Sequence, residues 1–569
     1  MAGSPLQQID LTTLRALLSD LRSRALPSRF EKAQQSDSAT LQLGFRSLQG
    51  MTWLELSWQA DCPRLMEIPA PAKVGAGSTL AQQLQHGLRQ LALVELQQQG
   101  FERVVEFRMA ARPGDAVQRT LVLELMGRHS NLLLLDERRR VIALGRQVRA
   151  HQSRVRPIST GDPYIPPPPL AGFPPDLEET SERWKERLQL LPLPLKQALQ
   201  QSYQGISPAL AQQLAGPLLS TPVHDLSTQD WMALHERWTR WLSSLASEHF
   251  GLILTPSGGY SVWSESGDSQ PTRPPLALAL GCWYNERLNQ RQLSQQLHEV
   301  RQRLQRWQRK EQEVLEDQSR RLDNTADADA LQQKADAILC LPTPNREQVD
   351  EAQTLYRRAR KLRRSVAILK ERQAHHRQRL ELIDQSAAFI DDLEMAHWEA
   401  LDQRVLALQT LRLELDDLLT PTNRREQRRQ QRAQRPAPLE LTTVHGLTIQ
   451  VGRNHRQNEW ISLRQARSGD LWFHAQECPG SHVVLKASEA IPSDEDLQLA
   501  ADLAALFSRG RGNIRVPIVM VPTDDLQRIA GAGPGTVRHR GGEVQWGNPQ
   551  RGREHLAAAE APSLDSPGV

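Results

Sequence analysis

Two imidazoles, a carboxylate and an indole crowd one short stretch of this chain. It reads Asp470-Leu471-Trp472-Phe473-His474, followed by Pro479-Gly480-Ser481-His482-Val483-Val484. A histidine beside a carboxylate can move protons. An exposed ring can stack on an unpaired base. Read as a strand, the segment puts Asp470, Trp472 and His474 on one face and Leu471 and Phe473 on the other. Such a face suits an unpaired nucleotide better than a small metabolite. Acid–base catalysis by His474 and Asp470 is the weaker reading, because no activated nucleophile accompanies them. A purely structural cluster is the third reading. His474 and His482 lie on opposite sides of a proline turn without HxxxH spacing, so no metal site is expected. Upstream, Val451 to Asn458 is a polar, amide-rich loop containing Arg453 and Asn454.

Other segments carry weaker signals. Gly531-Ala532-Gly533-Pro534-Gly535 lacks the Lys-Ser/Thr of a P-loop. With Arg528, Arg538 and Arg540 around it, it reads as a backbone-contacting loop or as a simple tight turn. Residues 421–438 hold six arginines against one glutamate. Such a run binds nucleic acid by counterion release, or is only a solvated linker. Gly205-Ile206-Ser207-Pro208 predicts a helix start with Ser207 as cap and Pro208 at the first helical position. Set between two short helices, it is similar to a helix-hairpin-helix turn.

These pieces need several domains to position them. The chain has 569 residues, 39% hydrophobic and 24% charged, which exceeds one compact core. Net charge is +4, and the sequence pI is about 8.9. Arginine far outnumbers lysine, which favours a polyanionic partner or reflects codon usage. Cys62, Cys282, Cys340 and Cys478 are scattered without a CxxC pair, so neither a disulfide framework nor zinc is expected. No signal pattern and no long apolar run are present, which predicts a cytoplasmic protein without a membrane partner.

The fold class expected is α+β and multidomain. Residues 1–170 read as mixed α/β. A helix is expected over Leu11–Leu21, with Thr12 or Thr13 near its start, and another over Leu80–Gln99. Strands are expected around Leu41–Phe45, Trp53–Trp58, Arg64–Ile68, Arg103–Met109, Thr120–Leu125, Leu132–Leu135 and Val141–Ala143. Prolines 166–169 close this domain. Residues 171–283 read as a helical domain that ends in short strand-like pieces. In 284–420, Leu293, Leu297, Val300, Leu304, Trp307 and Val314 keep heptad spacing, broken only by Glu311. A second run from Leu355 to Ile390 is interrupted by Gln373 and His376. Pro342 and Pro344 between the runs predict an antiparallel coiled-coil hairpin rather than a dimer zipper. The linker 421–438 leads to an α/β unit over 439–547, with a helix over Ser493–Arg509 and strands over Val516–Val521 and Glu543–Trp546. The tail 548–569 is expected to be disordered.

From Gly446 to Lys486 the chain resembles the C-terminal RNA-binding domain of the NFACT family. The order of the remaining segments agrees with that family along most of the chain. The family's Met-Gly-Lys-His-Ser-Asn element and the apolar strand after it resemble Met126 to Asp136, with Arg128 in place of lysine. Its Gly-x-Asp-Arg segment resembles Gly100-Phe101-Glu102-Arg103, where Glu102 keeps the charge but moves it by one methylene. Its Gly-Ala-x-Pro-Gly element is similar to Gly531–Gly535.

The resemblance implies an N-terminal domain similar to that of formamidopyrimidine-type glycosylases, with a helix-hairpin-helix-like element behind it. Those enzymes use an N-terminal Pro-Glu as nucleophile. This chain begins Met1-Ala2, so glycosylase chemistry is not expected. The resemblance also implies a ribosome quality control factor without enzyme activity or cofactor. It would bind large ribosomal subunits obstructed by peptidyl-tRNA, touch a stalk-base protein and hold alanyl-tRNA for alanine tailing. Residues expected at RNA are Glu102, Arg103, Arg128, His129, Arg453, Asn454, Asp470, Trp472, His474, Ser481, His482 and Arg528. A nucleic-acid-processing enzyme and a fibronectin-binding adhesin are the alternatives.

Overall fold

Alternating apolar residues and tight turns build the N-terminal half around one antiparallel sheet. The computed structural model describes residues 6–73, 78–149, 151, 156–255, 258–264, 275–323, 327–397, 399–419, 437–529 and 532–560. The chain divides into two compact units, Met1–Leu288 and Asn289–Val569.

In the first unit, α1 (Leu11–Ala25) precedes β1 (Ser28–Asp37), β2 (Thr40–Ser47), β3 (Gly50–Ser57) and β4 (Arg64–Ile68). Then come α2 (Thr79–Gly87), β5 (Ala92–Gln97), β6 (Val104–Ala110), β7 (Arg119–Glu124), β8 (Asn131–Leu135) and β9 (Val141–Leu144). The nine strands run in the order β4-β3-β2-β1-β5-β6-β7-β8-β9. Leu14, Leu17, Leu18 and Leu21 of α1 bury against Phe30, Leu43, Phe45 and Leu54. The cap of α1 is Asp10, its carboxylate accepting from the Thr13 backbone at 2.9 Å.

Leu80–Gln99 is not one helix. The chain turns at Gln90, whose φ is 65°. The residues after it then fill the slot between β1 and β6, with Leu93 opposite Ser28 and Leu96 opposite Phe107. The leucine spacing fits a helix, but the demand of two open strand edges overrides it.

Helices α3 (Ser181–Leu188), α4 (Leu195–Ser202), α5 (Pro208–Ala215) and α6 (Thr228–Ser247) share a separate core. Its centre is aromatic, Trp238 lying 4.8 Å from Tyr203 and 5.0 Å from Trp241 between ring centroids. Ser207 caps α5 by accepting from the Leu210 backbone at 2.9 Å, with Pro208 in the first turn. Short strands β10 (Ile253–Leu254) and β11 (Tyr260–Ser261) pair antiparallel.

The second unit contains most of a helical arm. Helix α7 (Leu276–Asp323) is 48 residues long and α9 (Arg346–Met395) is 50, so each spans about 70 Å at the α-helical rise. Helix α8 (Asp327–Leu339) carries the first direction onward, and α10 (Leu401–Leu419) packs at the base. Cross-helix pairs fix the sense. Arg301 pairs with Asp391, Glu311 with Arg379, Ser319 with Gln373 and Asp329 with Arg363. As one position rises the other falls, so the helices run antiparallel. The polar breaks in the heptads face each other: Glu311 accepts from Arg379 at 2.8 Å and meets His376 at 2.5 Å.

Beyond the arm, β12 (Leu439–Thr442), β13 (Thr448–Val451), β14 (Leu471–Ala475), β15 (Val483–Leu485), β16 (Val516–Pro522) and β19 (Glu543–Gly547) form a sheet ordered β12-β13-β15-β14-β16-β19. Strands β17 (Leu526–Arg528) and β18 (Val537–His539) make a separate hairpin. Helix Asp494–Leu506, capped by Ser493, covers one sheet face.

The basic run 420–436 and residues 530–531 of the glycine-rich turn lie outside the described residues. The tail expected to be disordered is corrected over Pro549–Glu560, which is helical. Leu556 is buried in the sheet–helix core, and Arg551 holds Asp502 at 2.8 Å. Alanine-rich sequence is low in complexity but favours helix, and Leu556 gives that helix a docking point. Residues 561–569 lie outside the described residues.

Candidate nucleic-acid interface

Strand β14 alternates as its sequence requires. Phe473 points into the core beneath helix Asp494–Leu506, while Trp472 joins Val484, Val519 and Val521 on the opposite face. That face was expected to be open, and here the expectation is corrected. The π-helical turn Trp460–Arg464 and the β17–β18 hairpin pack over it through Ile461, Leu526 and Val537. Trp472 is left 3% exposed.

Asp470 is fully buried. It holds the Lys486 ammonium at 3.0 Å, and accepts from the Ser488 hydroxyl at 2.6 Å and the Arg467 backbone at 2.9 Å. Burial alone would raise its carboxyl, but these bonds outweigh burial and hold it below the ordinary value. The carboxylate therefore anchors the loops around the strand start. Lys486 was missed as its partner, although an ammonium ending the apolar run Val483–Leu485 calls for a buried acid nearby.

The imidazoles form a layered cluster with the indole. His474 stacks on Trp472 with centroids 5.4 Å apart and planes at 9°. His482 meets both rings edge-on, at 5.1 Å and 5.3 Å. Burial lowers His474 to about 4 and drives His482 well below its usual value, so both rings are neutral. His482 is fixed by Ser462 at 2.8 Å and by the Asn458 side-chain amide oxygen, which accepts its backbone N–H at 3.1 Å. Ser481 is buried as well.

Arg453 and Asn454 also face inward. Arg453 pairs with Glu399 at 2.5 Å, and Asn454 caps the turn His455–Glu459 by accepting from Gln457 at 2.8 Å. Asn454, Asp470, Trp472, Ser481 and His482 are thus corrected from surface positions to interior supports. Arg528 remains on the surface, 3.3 Å from Glu459, on the same hairpin as exposed Arg538 and Arg540.

In the first unit the structure brings the other candidates to one end of the sheet. Arg103 precedes β6, and its carbonyl accepts from Leu125 at the end of β7 at 2.9 Å. The turn Gly127–His129 follows directly. Gly127 takes a φ of 56°, and Ser130 accepts from the Met126 backbone at 2.8 Å. Asn131 accepts from the Arg146 backbone at 2.9 Å, so the exposed Arg128 and His129 stand on a fixed turn. Arg103 lines a cleft of about 640 Å³ with Asp10, Leu170 and the turn around Ser207. Burial lowers its guanidinium pKa, opposed by Asp10 and Glu102. Glu102 accepts from the Leu170 backbone at 2.9 Å.

A cationic turn at one sheet end and a basic hairpin on another domain are what an RNA-binding protein presents, and family comparison gives the class. The family described as NFACT N-terminal and middle domains matches residues 10–343, more than half of the chain, and the chain belongs to it. The NFACT protein RNA binding domain matches residues 439–541.

Among individual proteins, the chain is similar to the Rqc2 homolog RqcH of Streptococcus suis (strain 05ZYH33). The two are 26% identical over 552 residues, covering 93% of this chain and 96% of that protein. The Rqc2 homolog RqcH of Bacillus subtilis (strain 168) is 24% identical over 488 residues, covering 78% and 81%. The solved C-terminal part of the fibronectin/fibrinogen-binding protein from Streptococcus suis is 26% identical. It covers 47% of this chain and 98% of that one, with a TM-score of 0.38. Among the described residues, no helix is long and apolar enough to cross a membrane.

Proposed function

We propose that this protein is a cytoplasmic ribosome quality control factor. It binds large ribosomal subunits that still hold an obstructing peptidyl-tRNA. It then holds an incoming tRNA, alanyl-tRNA, so that the ribosome extends the stalled chain with alanines. The observation that carries this reading is the NFACT RNA-binding match over 439–541 together with its outward hairpin. There Arg538 and Arg540 are exposed, and neither has an ion-pair partner among the described residues. Guanidiniums without a counter-ion on a fixed hairpin favour a phosphate backbone. The relatives named Rqc2 homolog RqcH support the ribosomal setting.

Arg103, Arg128 and His129 provide the second RNA contact, and the arm reaches a stalk-base protein. The chain makes and breaks no covalent bond in this scheme and needs no cofactor. The engagement of Asp470 by Lys486 and Ser488 supports that, since it withdraws the carboxylate from acid–base work. The test is sedimentation of the purified chain with large subunits from lysate in which translation has stalled, followed by sequencing of bound RNA. Co-sedimentation with enriched tRNA is expected. An empty subunit fraction and no bound tRNA at low salt would defeat the reading.

A further inference from the structure

Among the described residues, the sheet face that carries Trp472 is roofed at one end only. Register defines its rows. Trp472 lies opposite Val521, and His474 opposite Val519 and then Val544. Trp546 lies opposite Pro517 on the last strand. The first row is under the β17–β18 hairpin, whose His539 ring is 6.0 Å from Trp472. The later rows emerge: Val544 is 52% exposed and Trp546 is 55% exposed.

Neither side chain belongs to the core beneath helix Asp494–Leu506. Gln545 and Gly547 take that side, Gln545 bonding Gln498 and Gly547 lying close against Ala501. Among the described residues, strand β19 is also the sheet's edge and pairs only with β16. Val544 and Trp546 together leave an adjoining aliphatic and aromatic surface open on the edge strand.

Charge says what this surface takes. Arg538 and Arg540 stand on the chain that leads into β19, and Arg515 stands one residue before β16, next to the Pro517–Trp546 row. All three are exposed, and none has an ion-pair partner among the described residues. The exposed acid on this strand, Glu543, falls in the alternation on the opposite sheet face. An aromatic platform with a guanidinium that lacks a counter-ion one row away, as Arg515 provides for Trp546, is an arrangement that takes single-stranded nucleic acid, with a base on the ring and a phosphate on the arginine. The RNA-binding family match ends at residue 541, so this strand lies outside it.

We propose that β19 is a second RNA contact in this domain, in which an unpaired base stacks on Trp546 while Arg515 holds a flanking phosphate. This extends the RNA-binding reading above and rests on it only for the class of partner. The surface accepts any unpaired segment, since every base offers a π-face.

The experiment uses the full chain and a labelled 12-nucleotide oligouridine, read by fluorescence anisotropy at two salt concentrations. An abasic strand of the same length is the control. Trp546→Ala is expected to weaken oligouridine binding about 5- to 100-fold, the span of single base–aromatic contacts, and to leave the abasic strand unaffected. Trp546→Phe should recover most of the loss. Arg515→Ala should weaken both strands and flatten the salt dependence by roughly 0.7 for each phosphate no longer neutralised. Because the side chain is half in solvent, melting of Trp546→Ala should match that of the parent.

Equal oligouridine affinity in Trp546→Ala and parent overturns the proposal. So does a parent dimer that Trp546→Ala dissolves, because the edge strand would then pair with a second copy. If the chain ignores oligouridine but still sediments with large subunits and tRNA, this inference fails and the function stands. If it binds none of them, both fail.

Discussion

His455 gives the sharpest test of how the arm meets the RNA-binding domain. Its ring is wholly buried, 2.9 Å from the Ser386 hydroxyl and edge-on to Phe389 at 5.2 Å, both on α9. Burial lowers it to about 4 from an ordinary 6.5. The native ring stays neutral where the unfolded ring takes a proton. Its contribution to stability is therefore complete above pH 6.5 and is lost as pH falls from 6.5 toward 4. At pH 5 the unfolded ring is about 1.5 units below its midpoint, so the loss is ~2 kcal/mol at ~1.4 kcal/mol per unit.

His455→Phe fills the same space without titrating. Glu414 and Asp392, whose burial pushes each carboxyl up to about 7, work in the opposite direction and cancel between parent and variant. The assay is urea unfolding at pH 7.5 and pH 5.0, read by hydrogen exchange on peptides from 439–529. The parent should lose ~2 kcal/mol more than His455→Phe across that interval. A difference below ~0.5 kcal/mol would refute the claim that this ring is held neutral by its burial against the arm.

Three further outcomes are expected. Lys486→Met leaves the Asp470 carboxylate buried without its counter-ion and should cost ~3–5 kcal/mol in urea unfolding, with Asp470→Asn added to it recovering part of the loss. Gly281→Ala, a change that normally favours a helix, should lower the melting temperature, because the new Cβ would sit 1.9 Å from the Glu67 carbonyl. A loss of ~2 kcal/mol or more follows from such overpacking. Arg103→Ala should reduce the tRNA that copurifies with the chain by roughly 10-fold, the scale of one charge-assisted contact, while leaving sedimentation with large subunits intact.

The strands of the N-terminal sheet were mostly legible in the sequence because each alternates and ends at a turn. Strand β1 was not. Its residues Ser28–Asp37 are largely polar, and it is a strand because β2 and β5 pair with it on both sides. Strand β5 hid inside a helix-like leucine pattern for the same reason. The heptads and their polar breaks were readable, since both faces of one hairpin lie in one chain. In the candidate site, alternation placed Asp470, Trp472 and His474 correctly on one side. Openness was not readable, because the cover comes from Trp460–Arg464 and from the hairpin over fifty residues later. The turn Gly127–His129 was visible only as a polar break, and its support by Arg146 depends on the β8–β9 pairing.

The polar inlay in the arm has a mechanical meaning. Two smooth apolar seams could slide past each other by a heptad at little cost. Here a slip of seven residues toward the base would carry Glu311 away from Arg379 and His376 and set its carboxylate beside Ile383. Stranding that charge in an apolar seam costs several kcal/mol, so the sliding register is closed. The arm then works as a keyed ruler. Its tip stands at one distance from its base, and slippage of about 10 Å, a heptad's rise, is denied to it.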